Sequence, residues 1–300
     1  MLLYDIVQNI QNPLNSGVGT AIATADKTFM FLQVKNIGQD LQHKYSWELS
    51  LGDTGQWVVP GTQITGSVAT VTPKIDNLSE QIASVRIPGM FVGTPSESYE
   101  ILAKVKVITR GFGNSFINGS GTPDLVGLAN LVPASQTIYT APVSGSALTL
   151  QKCDALYNLV SVYAEPTFFV AHQTVIDILR NLYRQSPGTT SSAIQLKTFD
   201  GKNTEFVTIQ GRPVVPSNWI SVTETRDGEN NLSSMYAVFS EENDGLHLFY
   251  SENSGSQLIN VLPPKPVNGA HAVDRDVVMD IGMSLKSPFA VARLGGIRTA

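Results

Sequence analysis

Charge is what this sequence lacks most. Of its 300 residues only 15% are Asp, Glu, Lys or Arg, against about a quarter in an ordinary soluble domain. The net charge is −5. No basic stripe stands out, which argues against tight, sequence-specific nucleic-acid binding. There is one cysteine, Cys153, so no internal disulfide can form, which suits a reducing compartment. No run of 18 apolar residues exists to span a membrane. The N-terminus, MLLYDIVQNIQNPLNSG, has neither the basic region nor the long apolar stretch of a secretory signal.

Catalytic and metal-binding signatures are missing too. His43, His172, His247 and His271 are scattered through the chain, with no HExxH and no CxxC, so a structural zinc site is not expected. No GxSxG elbow and no Walker A loop occur. Gly17 and Gly19 form a loose GxG, but Ile22 stands where a dinucleotide loop needs a third glycine. Cys153 lies within twenty residues of His172, the kind of base a thiol nucleophile requires. It also falls on the apolar face of a predicted helix, where a free cysteine acts as a small hydrophobe. The sequence therefore points to no cofactor and no metal.

What is present is 42% hydrophobic residues, enough to build a core, and 84 Ser, Thr, Asn and Gln. Neutral polar surface of this kind suits extensive protein contacts, because charge is depleted at interface cores. At 300 residues, one or two domains are expected.

Residues 1 to about 30 are turn-rich and read as an arm, not a core element. Tyr45, Trp47, Leu49 and Leu51 alternate with polar residues, a turn cluster follows at 52–55, and a return leg begins at Trp57, Val58 and Val59 and continues through Ile64, Val68 and Val71. Pro60, Gly61 and Gly66 make that leg irregular or an edge. A nine-residue leg spans roughly 30 Å, whereas a globule of this length has a radius of gyration of only about 19 Å. Such a hairpin either packs on its own domain or reaches a neighbour. Tyr45, Trp47, Leu49, Trp57 and Val59 are the candidate contact residues.

Residues 81–92 read as a strand with Ala83, Val85 and Ile87 on one face. Thr94, Pro95 and Glu97 then give an N-cap, a proline at the first helical position and a capping-box glutamate. Ile101, Val105, Ile108, Phe112 and Phe116 follow at helical spacing, and Asn118-Gly119 stops the helix. Gly111 and Gly113 inside it allow close packing or mark a bend. A second helix is predicted from Thr149, with Cys153, Leu156, Tyr157 and Val160 inward. A short strand at 167–171 precedes a third helix at 173–185, with Val175, Leu179 and Leu182 inward. A flexible loop is expected at 186–193. The last third reads as strand: 206–209, 235–239 and 246–250, the last two joined by a hairpin turn at Asn243, Asp244 and Gly245. Val277, Met279, Ile281, Met283 and Leu285 alternate with a second set, predicting a long half-buried strand. The class is α+β.

From Ile108 onward an ordered series of segments resembles the major capsid proteins of tailed bacteriophages. The segments are FGNSFINGSGTPDLVGL (112–128), ALTLQKCDALYNLV (147–160), PTFFVAHQTVIDILRNLYR (166–184), IQGRPVVPSNWI (209–220), SMYAVFSEENDGLHLFY (234–250) and VDRDVVMDIGMSLKSPFAVARLGGI (273–297). The first 90 residues match in kind: an arm, a long hairpin, then a strand into a capped helix. The resemblance implies the tailed-phage major capsid fold, which encapsulins share. In that fold, residues 1–35 would form an N-terminal arm and 36–74 an extended β-hairpin loop over a neighbouring subunit. Residues 75–120 with 241–287 would form the peripheral domain and its spine helix. Residues 121–240 with 288–300 would form the axial domain.

The implied function is a non-enzymatic virion shell subunit, self-assembling as pentamers and hexamers around double-stranded DNA that it touches only loosely. Implied partners are a portal and a separate scaffolding protein, unless the chain is already processed; no membrane is involved. The implied locations are the virion and, before assembly, the host cytoplasm. An encapsulin-like compartment shell is the alternative, and a soluble hydrolase using Cys153 a lesser one.

Overall fold

The computed structural model of the chain describes residues 27–48, 71–121, 123–185, 194–198, 205–251 and 258–299. The expected turn at 52–55, the candidates Leu49, Trp57 and Val59, and the loop at 186–193 lie outside these residues, as do Gly17 and Gly19.

A 3-10 turn at Lys27–Met30 leads into Val34–Asn36 (β1). Gln42–Glu48 (β2) and Val71–Asn77 (β3) form a hairpin, and Ser79–Pro88 (β4) continues from β3. The long helix Pro95–Asn118 (α1) follows, then the single turn Leu128–Leu131 (α2), Thr137–Tyr139 (β5), Leu150–Ser161 (α3), Phe168–Ala171 (β6) and Gln173–Gln185 (α4). The remainder is strand: Ile194–Thr198 (β7), Glu205–Ile209 (β8), Arg212–Pro216 (β9), Glu224–Arg226 (β10), Glu229–Val238 (β11), Leu246–Tyr250 (β12), Ile259–Val261 (β13), Lys265–Pro266 (β14), Ala272–Leu285 (β15) and Val291–Arg298 (β16).

Two larger sheets and the separate β2–β3 hairpin result. β15 organises the six-stranded sheet, pairing with β4, β12, β13 and β14, while β1 lies parallel to β12. The eight-stranded sheet runs β5-β16-β11-β6-β9-β8-β7, with β10 on β11. Its central strands are apolar on both faces, as continuous runs such as Phe168-Phe169-Val170-Ala171 require. Phe169, Ala171, Met235, Ala237 and Leu294 pack under α3 and α4. The alternate residues Phe168, Val170, Tyr236 and Val238 join a second core shared with α1 and the six-stranded sheet.

The described return leg of the hairpin is Val71–Asn77, with Glu48 opposite Val71, a residue the sequence places in that leg. Three sequence expectations are corrected. Residues 27–34 are not all outside the core: Met30, Phe31, Leu32 and Val34 are buried, and the Phe31 ring lies 5.6 Å from Phe206. Asn243, Asp244 and Gly245 do not close a hairpin, because β11 and β12 belong to different sheets. Glu241 instead takes the amides of Asn243 (2.9 Å) and Asp244 (2.7 Å), turning the chain from one sheet to the other. Finally, β15 is half-buried only in its first part. From Val277 to Leu285 both faces are covered apart from the half-buried Asp280, since residues 282–285 enter between other elements beside β12.

Among the described residues no helix is long and apolar enough to cross a membrane.

Candidate functional site

No group of three or more His, Cys, Asp or Glu side chains that could hold a metal ion forms among the described residues. Cys153 is buried, and desolvation pushes its thiol up to about 12, so it stays protonated and inert near neutrality. His172 is used elsewhere: its Nδ1 accepts the Thr174 amide at 3.2 Å and its carbonyl takes the Val175 amide at 3.0 Å, so it caps α4. The lesser hydrolase reading thus loses both its nucleophile and its base.

The remaining candidates are contact elements. The first is α1, 24 residues long, about 36 Å at 1.5 Å per residue. Ile101, Val105, Ile108, Phe112 and Phe116 all face inward and are buried, with the Phe112 and Phe116 rings stacked 6.0 Å apart. A Cβ at Gly111 would run into the Gln81 side-chain amide, so this glycine lets the helix lie close to β4.

The start of α1 differs from the expected capping box. Pro95 is the first helical residue as predicted, but the Thr94 side chain accepts no amide; its hydroxyl donates to the Phe91 carbonyl at 2.6 Å. Glu97 reaches one residue further back than the motif, accepting the Gly93 amide at 2.5 Å. Its other oxygen meets Arg275 Nη2 at 2.7 Å and Nε at 2.8 Å. The carboxylate therefore ties the helix start to β15, because a fixed guanidinium on the neighbouring strand competes better than the local backbone.

The second element is the base of the β2–β3 hairpin. Tyr45 is buried against its own chain, with its hydroxyl 2.6 Å from Asp76 Oδ2 and 3.1 Å from the Leu285 carbonyl. Burial and the Asp76 carboxylate raise its pKa. Of the two options for the hairpin, Tyr45 takes packing on its own chain in this structure. His43 stacks on Tyr45 with centroids 5.3 Å apart, and its Nε2 lies 3.1 Å from Nε2 of His247 on β12. No local pattern hints at that pair, since 204 positions separate the two rings.

Further candidates missed by periodicity are exposed apolar side chains between β3 and α1, among them Ile75, Ile82, Met90, Phe91, Tyr99 and Val107. Their signal was an apolar residue on an otherwise polar face, such as Ile82 beside Ser84 and Arg86 on the outer face of β4.

The sequence matches no protein-family model and no curated protein. The fold, in contrast, is similar to solved shell structures. The SrpI encapsulin of Synechococcus elongatus PCC 7942 has a TM-score of 0.69 at 17% identity, covering 90% of this chain and 86% of that one. The capsid of the native GTA particle has a TM-score of 0.62 at 13% identity, covering 93% and 90%. The capsid of cyanophage A-1(L) has a TM-score of 0.59 at 13% identity, covering 91% and 93%. The α+β fold of this chain is the one common to tailed-phage capsids and encapsulins.

Proposed function

We propose that this chain is a structural subunit of a closed protein shell, self-associating and without enzymatic activity. One observation carries the reading: about nine-tenths of the chain superposes on shell proteins, and they in turn are covered over 86% to 93% of their length. The match thus spans whole subunits, not one shared motif. Inert Cys153 and the exposed apolar side chains between Ile75 and Val107 support it, the first against catalysis and the second for burial by a neighbour.

Within that reading we assign the shell to a tailed-phage virion enclosing double-stranded DNA, as the ordered segments from Ile108 suggest. Pentamers and hexamers, a portal and a separate scaffolding protein belong to this assignment, as does a host-cytoplasmic phase before assembly. A net charge of −5 supports only loose contact with the packaged DNA. The arm at 1–35, loop at 36–74, peripheral parts at 75–120 and 241–287, and axial parts at 121–240 and 288–300 remain the proposed division. The passage of the chain between sheets after β11 and again after β15 supports it. A second reading, an encapsulin-like compartment, draws on the 0.69 TM-score of the SrpI encapsulin.

Electron microscopy of the purified chain, with and without a co-expressed scaffold, tests the shell. Closed particles are expected, and monomers under all assembly conditions would overturn it. Nuclease-protected DNA in native particles supports the virion, whereas a single packaged protein species supports the compartment. A Cys153→Ala chain is expected to assemble unchanged.

A further inference from the structure

We propose that the His43–His247 contact is a proton-controlled latch seating the base of the β2–β3 hairpin on the body of the subunit. The ladder between β15 and β4 ends at the Ile281–Ser79 pair, and β2 and β3 form a sheet of their own. Past that pair, the hairpin meets the body through side chains, among them Tyr45 on the Leu285 carbonyl and His43 on His247.

Two imidazoles can share a hydrogen bond only if one facing nitrogen carries a proton and the other does not. The Gly245 carbonyl lies 3.4 Å from His247 Nδ1. That assigns the proton of His247 to Nδ1 and leaves its Nε2 to accept from His43 Nε2, 3.1 Å away. A second proton on His247 must go to Nε2, which sets two N–H donors face to face; one on His43 goes to Nδ1, which keeps the shared bond but leaves a charge where both rings are buried.

The surroundings oppose that charge. Lys35 on β1 and Lys286 just beyond β15 bear on both rings and disfavour it. Asp76 on β3 favours charge on His43 but is already engaged by the Tyr45 hydroxyl at 2.6 Å and by Lys74 at 3.8 Å. Tyr45, Phe249 and Ser284, the other neighbours, are neutral. Desolvation lowers His43, and desolvation with the His43 charge brings His247 down to about 3.

The sign follows. With the hairpin released, His43 recovers an ordinary value of about 6.5, and His247 loses the His43 charge and the cover of the hairpin and moves up towards it. The docked form then binds fewer protons than the released one, so docking is full above about pH 6.5 and weakens as pH falls toward about 3. His247 contributes up to about tenfold per pH unit in that window, and His43 acts in the same direction.

Hydrogen exchange of the full chain between about pH 7.5 and about pH 5, corrected for intrinsic rates, is the test. Amides of 42–48 and 71–77 are expected to lose protection by on the order of tenfold per unit below about pH 6.5, while β11 and β16 stay protected. A His43→Gln/His247→Gln chain keeps a hydrogen-bonding pair without titration and should lose that slope; a single His43→Asn chain should show less of it. The same slope in these variants would overturn the latch, as would loss of β11 and β16 protection at the same pH. So would a change in hairpin exchange at neutral pH on adding zinc or a chelator, which would mean a metal-bridged pair. If neither variant folds, the difference between hairpin and core amides in the native chain decides.

Discussion

The long helix and the hairpin base rest on the same six-stranded sheet and are held by opposite chemistry. α1 presents Ile101, Val105, Ile108, Phe112 and Phe116 to β4 and β15, a seat made of dry apolar contacts. The hairpin base presents His43 and Tyr45, whose partners are an imidazole, a carboxylate and a carbonyl. Apolar burial is indifferent to proton concentration and scales with area. A polar seat holds only while every donor meets an acceptor, because an unmatched buried group costs more than a matched one contributes. One element is therefore fixed to the body, and the other is conditionally attached.

Substitutions sharpen this contrast. The largest effect is expected for Phe112→Ala, which removes a fully buried ring from the helix seat and should cost about 3–5 kcal/mol in denaturant unfolding of the unassembled chain. A loss below about 1 kcal/mol would show that the seat is not close-packed. Glu97→Ala strips Arg275 and the Gly93 amide of their acceptor at once. Arg275 keeps some solvent access at 22% exposure, so the expected loss is about 2 kcal/mol, below that for breaking a fully buried pair. Glu97→Gln should recover part of it by keeping an acceptor for the Gly93 amide.

Tyr45→Phe removes one hydroxyl from the polar seat and should cost about 1 kcal/mol. Its distinguishing readout is local: hydrogen exchange should quicken in β2 and β3 and stay unchanged in α1. Equal quickening in both would erase the contrast. Smallest is Gly111→Ala. Its gain in helix propensity of about 1 kcal/mol is set against displacing the Gln81 amide, so the melting temperature should barely move. A large loss would show that β4 and the helix cannot separate by even a methyl group.

Legibility followed the range of the interaction. α4 spans Gln173–Gln185 and α1 ends at Asn118, both as periodicity and stop signals indicate, because these are decided within one or two turns. The inward face of β4 was readable from alternation alone, and Val85 and Ile87 are buried. Pairings between distant segments were not: β5 lies parallel to β16 and β1 parallel to β12, and no local pattern records such partners. The turn at 243–245 misled for the same reason. Its residues favour a reversal of the chain, and the reversal occurs, but the two flanking strands find other neighbours. Of the candidate contacts, Tyr45 is buried on its own chain, which alternation could not decide, because it reports which residues share a face, not which face meets the body.

The sequence by itself determined the longer helices, the low charge and, through the order of its segments, the class of fold. Those properties depend on neighbours a few residues apart or on composition summed over the chain. Only the tertiary structure decided that Glu97 serves Arg275 as well as its own helix, that Phe31 and Leu32 belong to the core, and that two histidines far apart in the chain share one hydrogen bond. Each of these depends on which strand lies beside which. That choice is made by closing long loops and filling a common core, so it is written in the packing and not in any single stretch of residues.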